Sequence, residues 1–181
     1  MGVCMALQVE TGSGLVDAES YASVAQFRDY WTKRGTDVSG LTDTVIEGLL
    51  RQGFDYMLEN FRMKWNGYRV TTEQFADWPR DYCPRDPTLL AQFSTYQYTN
   101  DNYYPNDVVP VEVVRANIEL ANLAQTERLS IESERLTTQE KVGSLSVSYD
   151  KSARDKRTFP FIDNLLRPFL KNGGGGTVRR A

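Results

Sequence analysis

The chain has 181 residues, enough for one domain with its own core and some appendages. An apolar fraction of 40%, with three Trp, ten Tyr and eight Phe, marks a folded protein, and no run of about 18 apolar residues suggests a membrane span. Histidine is absent and the two cysteines, Cys4 and Cys83, stand far apart without a CxxC partner. No catalytic residue, no metal and no cofactor are therefore expected, since the commonest general base, zinc ligand and nucleophile partner are all missing.

Net charge is only −3, but it is unevenly spread: residues 151–181 carry +6 and the first 150 carry −9. An acidic body with a basic end suggests that the two parts face different partners. The opening, Met1 to Gln8, lacks the basic and long apolar stretches of a signal peptide. Ala6 stands where a myristoylation motif wants Ser or Thr.

In chain order, Leu7 to Val16 reads as a short extended segment broken by a glycine turn. Ser23 followed by Gln26 is a capping-box pattern, and Val24, Phe27 and Trp31 share one helical face, which predicts a helix over about 24–34 ended by Gly35. Thr42 or Thr44 is expected to cap a second helix running to about Phe61, on an apolar stripe of Ile46, Leu49, Leu50, Phe54, Met57 and Phe61. Gly48 and Gly53 inside it weaken the helix, so both are expected to mark close packing against a neighbour.

Residues 62–109 are irregular and aromatic, with a Tyr-rich stretch, Ser94 to Tyr104, that reads as an insertion. Loops of this length are usually functional, and tyrosines bury much area at low entropy cost. Pro110 suits the first turn of a third helix, with Val111, Val114, Ile118 and Ala121 as its stripe, widened by Leu120 and Leu123. Leu145, Val147 and Tyr149 alternate with serines in a half-buried strand, for which residues 136–141 offer an antiparallel partner. After a charged linker comes a short helix over 160–171, a glycine hinge at 173–176, and a stub bearing Arg179 and Arg180.

The fold class expected is mainly α: a small helical bundle with a short β-hairpin and an extended C-terminal arm. Residues 1–150 form the body, with an aromatic loop or insertion at 62–109 and a β element at about 136–149. Residues 151–181 form the basic arm.

The order of several short motifs carries a family resemblance. They are Val9 to Tyr30, Trp65-Asn-Gly-Tyr-Arg69, Trp78-Pro-Arg80, Val109 to Ala116, Val142-Gly143 and Phe159 to Leu170. Together they resemble the head-to-tail adaptor proteins of tailed bacteriophages, a family often labelled DnaT-like single-stranded-DNA-binding protein. The resemblance spans nearly the whole chain apart from 85–104.

It implies a structural protein of the virion neck, made in the host cytoplasm, that forms a ring of twelve copies beneath the portal. The portal protein, neighbouring copies, the next neck or tail protein, and genomic DNA passing non-specifically through the channel would be its partners. An acidic body would repel phosphates and let DNA slide. For docking to the portal, the expected anchor is Phe161, Ile162, Leu165, Leu166 and Phe169, with Arg179 and Arg180 as rim charges. For contacts between subunits or with the tail, Trp65, Tyr68, Tyr96, Tyr98, Tyr103 and Tyr104 are the candidates.

Single-stranded-DNA binding is the alternative, since the same aromatics could stack bases. Against it, residues 86–107 hold no Lys or Arg. An enzyme is the weakest reading, because Glu132, Glu134 and Glu140 have no glycine-rich cradle beside them.

Overall fold

Ser23 opens the first helix in the manner its spacing predicts. Its hydroxyl accepts from the Gln26 amide at 3.2 Å, while the Gln26 side-chain oxygen accepts from the Ser23 amide at 2.8 Å. The computed structural model describes residues 6–85, 102–129, 139–142, 145–148 and 159–171. Helix α1 is Val24–Thr32, and Gly35 follows with φ +73°. Helix α2 is Asp43–Phe61, capped by the Thr42 hydroxyl on the Val45 amide at 3.4 Å. Helix α3 is Val111–Leu123, and α4 is Pro160–Leu166, continued by a 3-10 turn over Arg167–Phe169.

Two very short antiparallel ladders complete the regular structure among the described residues. Strands β1 (Tyr68–Arg69) and β2 (Arg80–Asp81) set Tyr68 opposite Asp81 and Arg69 opposite Arg80. Strands β3 (Gln139–Val142) and β4 (Leu145–Ser148) pair from Gln139–Ser148 to Val142–Leu145, a hairpin where the alternating sequence predicts one. The architecture is thus mainly α with a small hairpin.

The core has two neighbouring clusters joined through α2 and α3. One gathers Phe27, Trp31, Ile46, Leu50 and Ile118; the other gathers Phe54, Phe61, Trp65, Trp78, Val113 and Phe169. Where α2 crosses α3, Gly53 lets the backbones approach: a Cβ there would lie 2.9 Å from the Asn117 carbonyl oxygen and 3.1 Å from the Ala121 nitrogen. Gly48 does not share this role, since a Cβ there would meet nothing within 4 Å. Of the two glycines expected to mark close packing, only Gly53 does.

Helix α3 is also rotated from the stripe its sequence suggests. Val111 is exposed and Val114 half-buried, while Val113, Ala116 and Asn117 face inward beside the expected Ile118, Leu120 and Ala121. The cause is Asn117, a polar residue that buries because it joins three segments. Its carbonyl oxygen accepts from the Ser20 hydroxyl at 2.8 Å and the Tyr21 amide at 2.9 Å, and its amide donates to the Leu50 carbonyl at 3.0 Å. A buried amide with its partners satisfied locks the register of the elements it joins.

The N-terminal glycine turn is organised by a buried carboxylate. Glu10 accepts from the amides of Gly12 at 2.7 Å, Gly14 at 3.1 Å and Leu15 at 2.6 Å.

Helix α4 packs on the rest of the fold: its Ile162 and Leu166, with Phe169 beyond, sit in the same cluster as Phe61, Trp65 and Trp78, while residues 151–158 and 172–181 of the expected arm lie outside the described residues. Apolar side chains of this size stabilise by about 1.5–3 kcal/mol each when fully buried, which explains why they turn inward.

Candidate functional site

The expected portal anchor is largely inside the protein. Ile162, Leu166 and Phe169 are buried and Leu165 is half-buried; of the five apolar candidates only Phe161 is open, at 59% exposure. The Phe169 ring packs edge-on to Trp78 at 5.6 Å and against Tyr104 at 5.2 Å. Backbone bonds hold it there: the Asn66 amide donates to the Phe169 carbonyl at 2.9 Å, and the Lys171 amide to the Lys64 carbonyl at 2.7 Å.

The aromatic candidates divide in the same way. Trp65 is 1% exposed and donates its indole N–H to Asp77 at 3.1 Å, so it is a core residue rather than a contact surface. Tyr104 is half-buried against Trp78. Tyr68 is 73% exposed, and Tyr103 packs at a partly covered position against Tyr82 at 5.7 Å. Tyr96, Tyr98, Arg179 and Arg180 lie outside the described residues.

What the fold assembles instead is a basic, aromatic end at the C-terminus of α2. Residues 62–85 fold over it with little regular structure, and polar side chains take the place of ladder bonds. Arg80 is buried and donates to the carbonyls of Asn66 at 2.7 Å, Gly67 at 2.7 Å and Asp77 at 2.9 Å. Asp77 accepts from Arg62 at 3.0 Å as well as from Trp65. Burial pushes the Asp77 carboxyl above the usual carboxylate range, and the Arg62 guanidinium opposes that rise. The Tyr21 hydroxyl accepts from the amides of Asp77 and Trp78 at 2.9 and 3.3 Å.

On this frame Met63, Tyr68 and Tyr82 project to solvent, at 85%, 73% and 64% exposure. Lys64, Arg69 and Arg85 in the same segment are exposed too, as are Arg167 and Lys171 in the stretch that returns to bond Lys64. The Arg85 guanidinium lies 5.5 Å from the centre of the Tyr104 ring and donates to the Tyr103 carbonyl at 2.9 Å. Open aromatic faces beside cations suit either stacked, unpaired bases with their phosphates or an apolar, acidic protein surface.

Most of this end was not foreseen in the sequence. The cations that serve the aromatics are distant in the chain, and only the run Arg62-Met-Lys-Trp-Asn-Gly-Tyr-Arg69 hinted at them.

A second surface has the opposite sign. A shallow cleft of about 420 Å³ beside the middle of α2 is lined by Val16, Ala18, Phe54 and Phe75 with Asp17, Glu19, Arg51 and Asp55. Arg51 pairs with Glu19 at 2.9 Å and holds that carboxyl below its ordinary range. Burial, with Glu59 adding repulsion, pushes Asp55 up.

No group of three or more His, Cys, Asp or Glu among the described residues could hold a metal ion. The Cys83 thiol is fully buried and pushed up to about 12 by burial, which leaves it protonated and unreactive at neutral pH. No helix among the described residues is long and apolar enough to cross a membrane.

The model of a protein family described as "Putative DnaT-like ssDNA binding protein" matches residues 5–181. No curated protein and no solved structure matches the chain. With almost its whole length inside that match, the chain belongs to this DnaT-like family.

Proposed function

We propose that the chain is a structural head-to-tail adaptor of a tailed phage, one subunit of a ring that sits beneath the portal and extends the DNA channel. The observation that carries this reading is the pair of unlike surfaces on one subunit. One is a cleft with apolar walls and two carboxylates, Asp17 and Asp55, that have no ion-pair partner among the described residues; the other carries exposed Met63, Tyr68 and Tyr82 in a segment with exposed Lys64, Arg69 and Arg85. Two different, complementary patches are what a closed head-to-tail ring requires, whereas a two-fold dimer needs one self-complementary patch. The motifs behind the phage resemblance support it too: Glu10, Trp65, Trp78, Arg80 and Phe169 all build the frame that holds these patches.

Ring formation would bring the acidic flank of each subunit against the basic end of the next. Apolar contacts would supply most of the affinity, because exposed ion pairs contribute only about 0–1 kcal/mol each. Native mass measurement of the chain mixed with portal, together with imaging of the particle neck, tests the proposal. A ring of this chain below the portal is the expected result; a monomer that ignores portal at high concentration, and a neck without it, overturn it.

Single-stranded-DNA binding is the second reading, favoured by the family description and by the basic aromatic end. On it, Tyr68 and Tyr82 stack bases at roughly 1–3 kcal/mol per base and Lys64, Arg69 and Lys171 hold phosphates. Tight binding to oligo-dT, weakening steeply with salt and lost in Tyr68→Ala with Lys171→Glu, would select it over the adaptor.

A further inference from the structure

Residues 62–67, directly after α2, expose an apolar side chain while their backbone is held still. The Lys171 amide donates to the Lys64 carbonyl at 2.7 Å and the Asn66 amide to the Phe169 carbonyl at 2.9 Å. Arg80 adds bonds to the carbonyls of Asn66 and Gly67, each at 2.7 Å. Fixed in this way, the turn carries Met63, at 85% the most open of the exposed large apolar residues described. Next to it is Lys64, whose ammonium lies 5.2 Å from the centre of the Phe61 ring. Lys64 and Lys171, at backbone positions bonded to each other, have no ion-pair partner among the described residues.

The cleft beside α2 offers the converse. Val16 and Phe75 are open apolar walls, and Asp17 and Asp55 are exposed carboxylates, since Arg51 is taken by Glu19 and Glu47. This wall is set as firmly as the turn. The Phe75 amide donates to the Leu15 carbonyl at 2.9 Å, Arg62 donates to the Phe75 carbonyl at 2.7 Å, and the ring stacks on Phe54 at 6.2 Å. An apolar side chain with two cations and an apolar cleft with two carboxylates are complementary in charge and in polarity. One subunit cannot make the match alone: Asp55 lies ~9 Å along α2 from the helix end at Phe61, and the turn beyond is bonded to its own body.

We propose that the turn of one copy docks in the cleft of the next, with Met63 against Val16 and Phe75 and with Lys64 and Lys171 against Asp55 and Asp17. The inference rests on the ring reading and deepens it by naming the contact that closes the ring. Because both faces are held in place beforehand, little freedom is lost on contact. Each subunit keeps one turn and one cleft, so the contact runs head to tail. Burial of Met63 supplies affinity, and the two charge pairs set the register. Burial and Glu59 raise the Asp55 carboxyl, and an incoming ammonium offsets both.

The test is sedimentation velocity of the full chain, alone and with portal, over a wide concentration range. Lys64→Glu with Lys171→Glu reverses the turn, and Asp17→Lys with Asp55→Lys reverses the cleft. Each pair should weaken self-association on the order of a hundredfold, since like charges then meet. An equimolar mixture of the two variants should recover, because acidic turns meet basic clefts and the converse; a chain carrying all four changes should recover as well. Recovery shows that the variants are folded. A chain that stays monomeric alone and with portal, a reversal without effect, or a mixture that fails to recover overturns the proposal. So does oligo-dT binding that the turn reversal abolishes while self-association persists, which assigns the turn to nucleic acid. The ring is read separately. Copies that associate through this pair without a ring below the portal refute the adaptor and leave the contact; a portal-bound ring indifferent to every reversal refutes the contact and leaves the adaptor.

Discussion

Around Phe27, Ile46 and Leu50 the core is made by helices whose backbones satisfy their own hydrogen bonds, so side chains have only to fill space. Around Trp65 and Trp78 the same depth of burial is reached by a segment with two-residue strands, and there the polar side chains make the structure. Arg80 gathers three carbonyls, Asp77 ties Arg62 to Trp65, and the Gln74 amide donates to the carbonyls of Ala76 and Pro79 at 3.0 and 3.1 Å. An irregular segment stays buried only if each backbone group finds a partner, and where helices do not supply one, long polar side chains must. Substitutions should therefore behave by opposite rules in the two regions.

The largest effect is expected from Arg80→Met. It keeps the apolar stem but strands three carbonyls and leaves Asp77 with less compensation, a loss of about 3–5 kcal/mol on the scale of a broken buried pair. Urea unfolding measures it, and a loss below about 1 kcal/mol would erase the contrast between the regions. In the helical region the largest effect should come from shape. Gly53→Ala forces a methyl against the α3 backbone and should cost about 1–3 kcal/mol.

Gly48→Ala, one and a half turns earlier on the same helix, meets no neighbour and should stabilise by about 0.5–1 kcal/mol. If both alanines act with the same sign, close approach at the crossing is not what holds α2 against α3. Thermal unfolding of the two variants side by side decides this.

The smallest effect concerns pH. Because the folded protein raises the Asp55 carboxyl, it binds a proton more readily than the unfolded chain does; stability therefore falls as pH rises from the ordinary carboxylate value of about 3.9 through the raised one. Asp55→Asn should flatten that fall and gain at most about 0.5 kcal/mol at neutral pH. Glu19, held low by Arg51, works in the other direction, so Glu19→Gln should be most harmful at neutral pH and harmless in acid. Unfolding midpoints followed from pH 3 to 7 check both.

The same contrast explains what could be read from the amino acids alone. Helices α1 and α2 announced themselves through Ser23, Thr42 and an apolar period, because those signals act over three or four residues. The inward turn of Asn117 did not, since its partners Ser20, Tyr21 and Leu50 lie far away in sequence. The 62–85 segment carries no period at all, and its Trp, Tyr and Arg look equally suited to a surface or a core. Trp65 went inside, where Asp77 takes its indole N–H and Phe61 and Trp78 pack on its ring, and Tyr68 stayed outside. Helix α4 was legible as a helix, but its apolar face could equally have served a partner; the ring of Phe169 between Trp78 and Tyr104 decided for the chain's own core.

Residues 85 and 102 meet: the Arg85 amide donates to the Asn102 carbonyl at 2.9 Å, the Tyr104 amide donates to the Cys83 carbonyl at 2.9 Å, and Pro84 bridges to Tyr103. The sixteen positions of sequence between them thus connect two residues whose backbones are already bonded to each other. Lengthening a connection between two such fixed points costs closure entropy of about 0.6 kcal/mol for each doubling. The site is thus a natural port for cargo. A short epitope or a fluorescent domain grafted between Arg85 and Asn102 would begin and end at one place on the domain and leave the helices beneath it undisturbed.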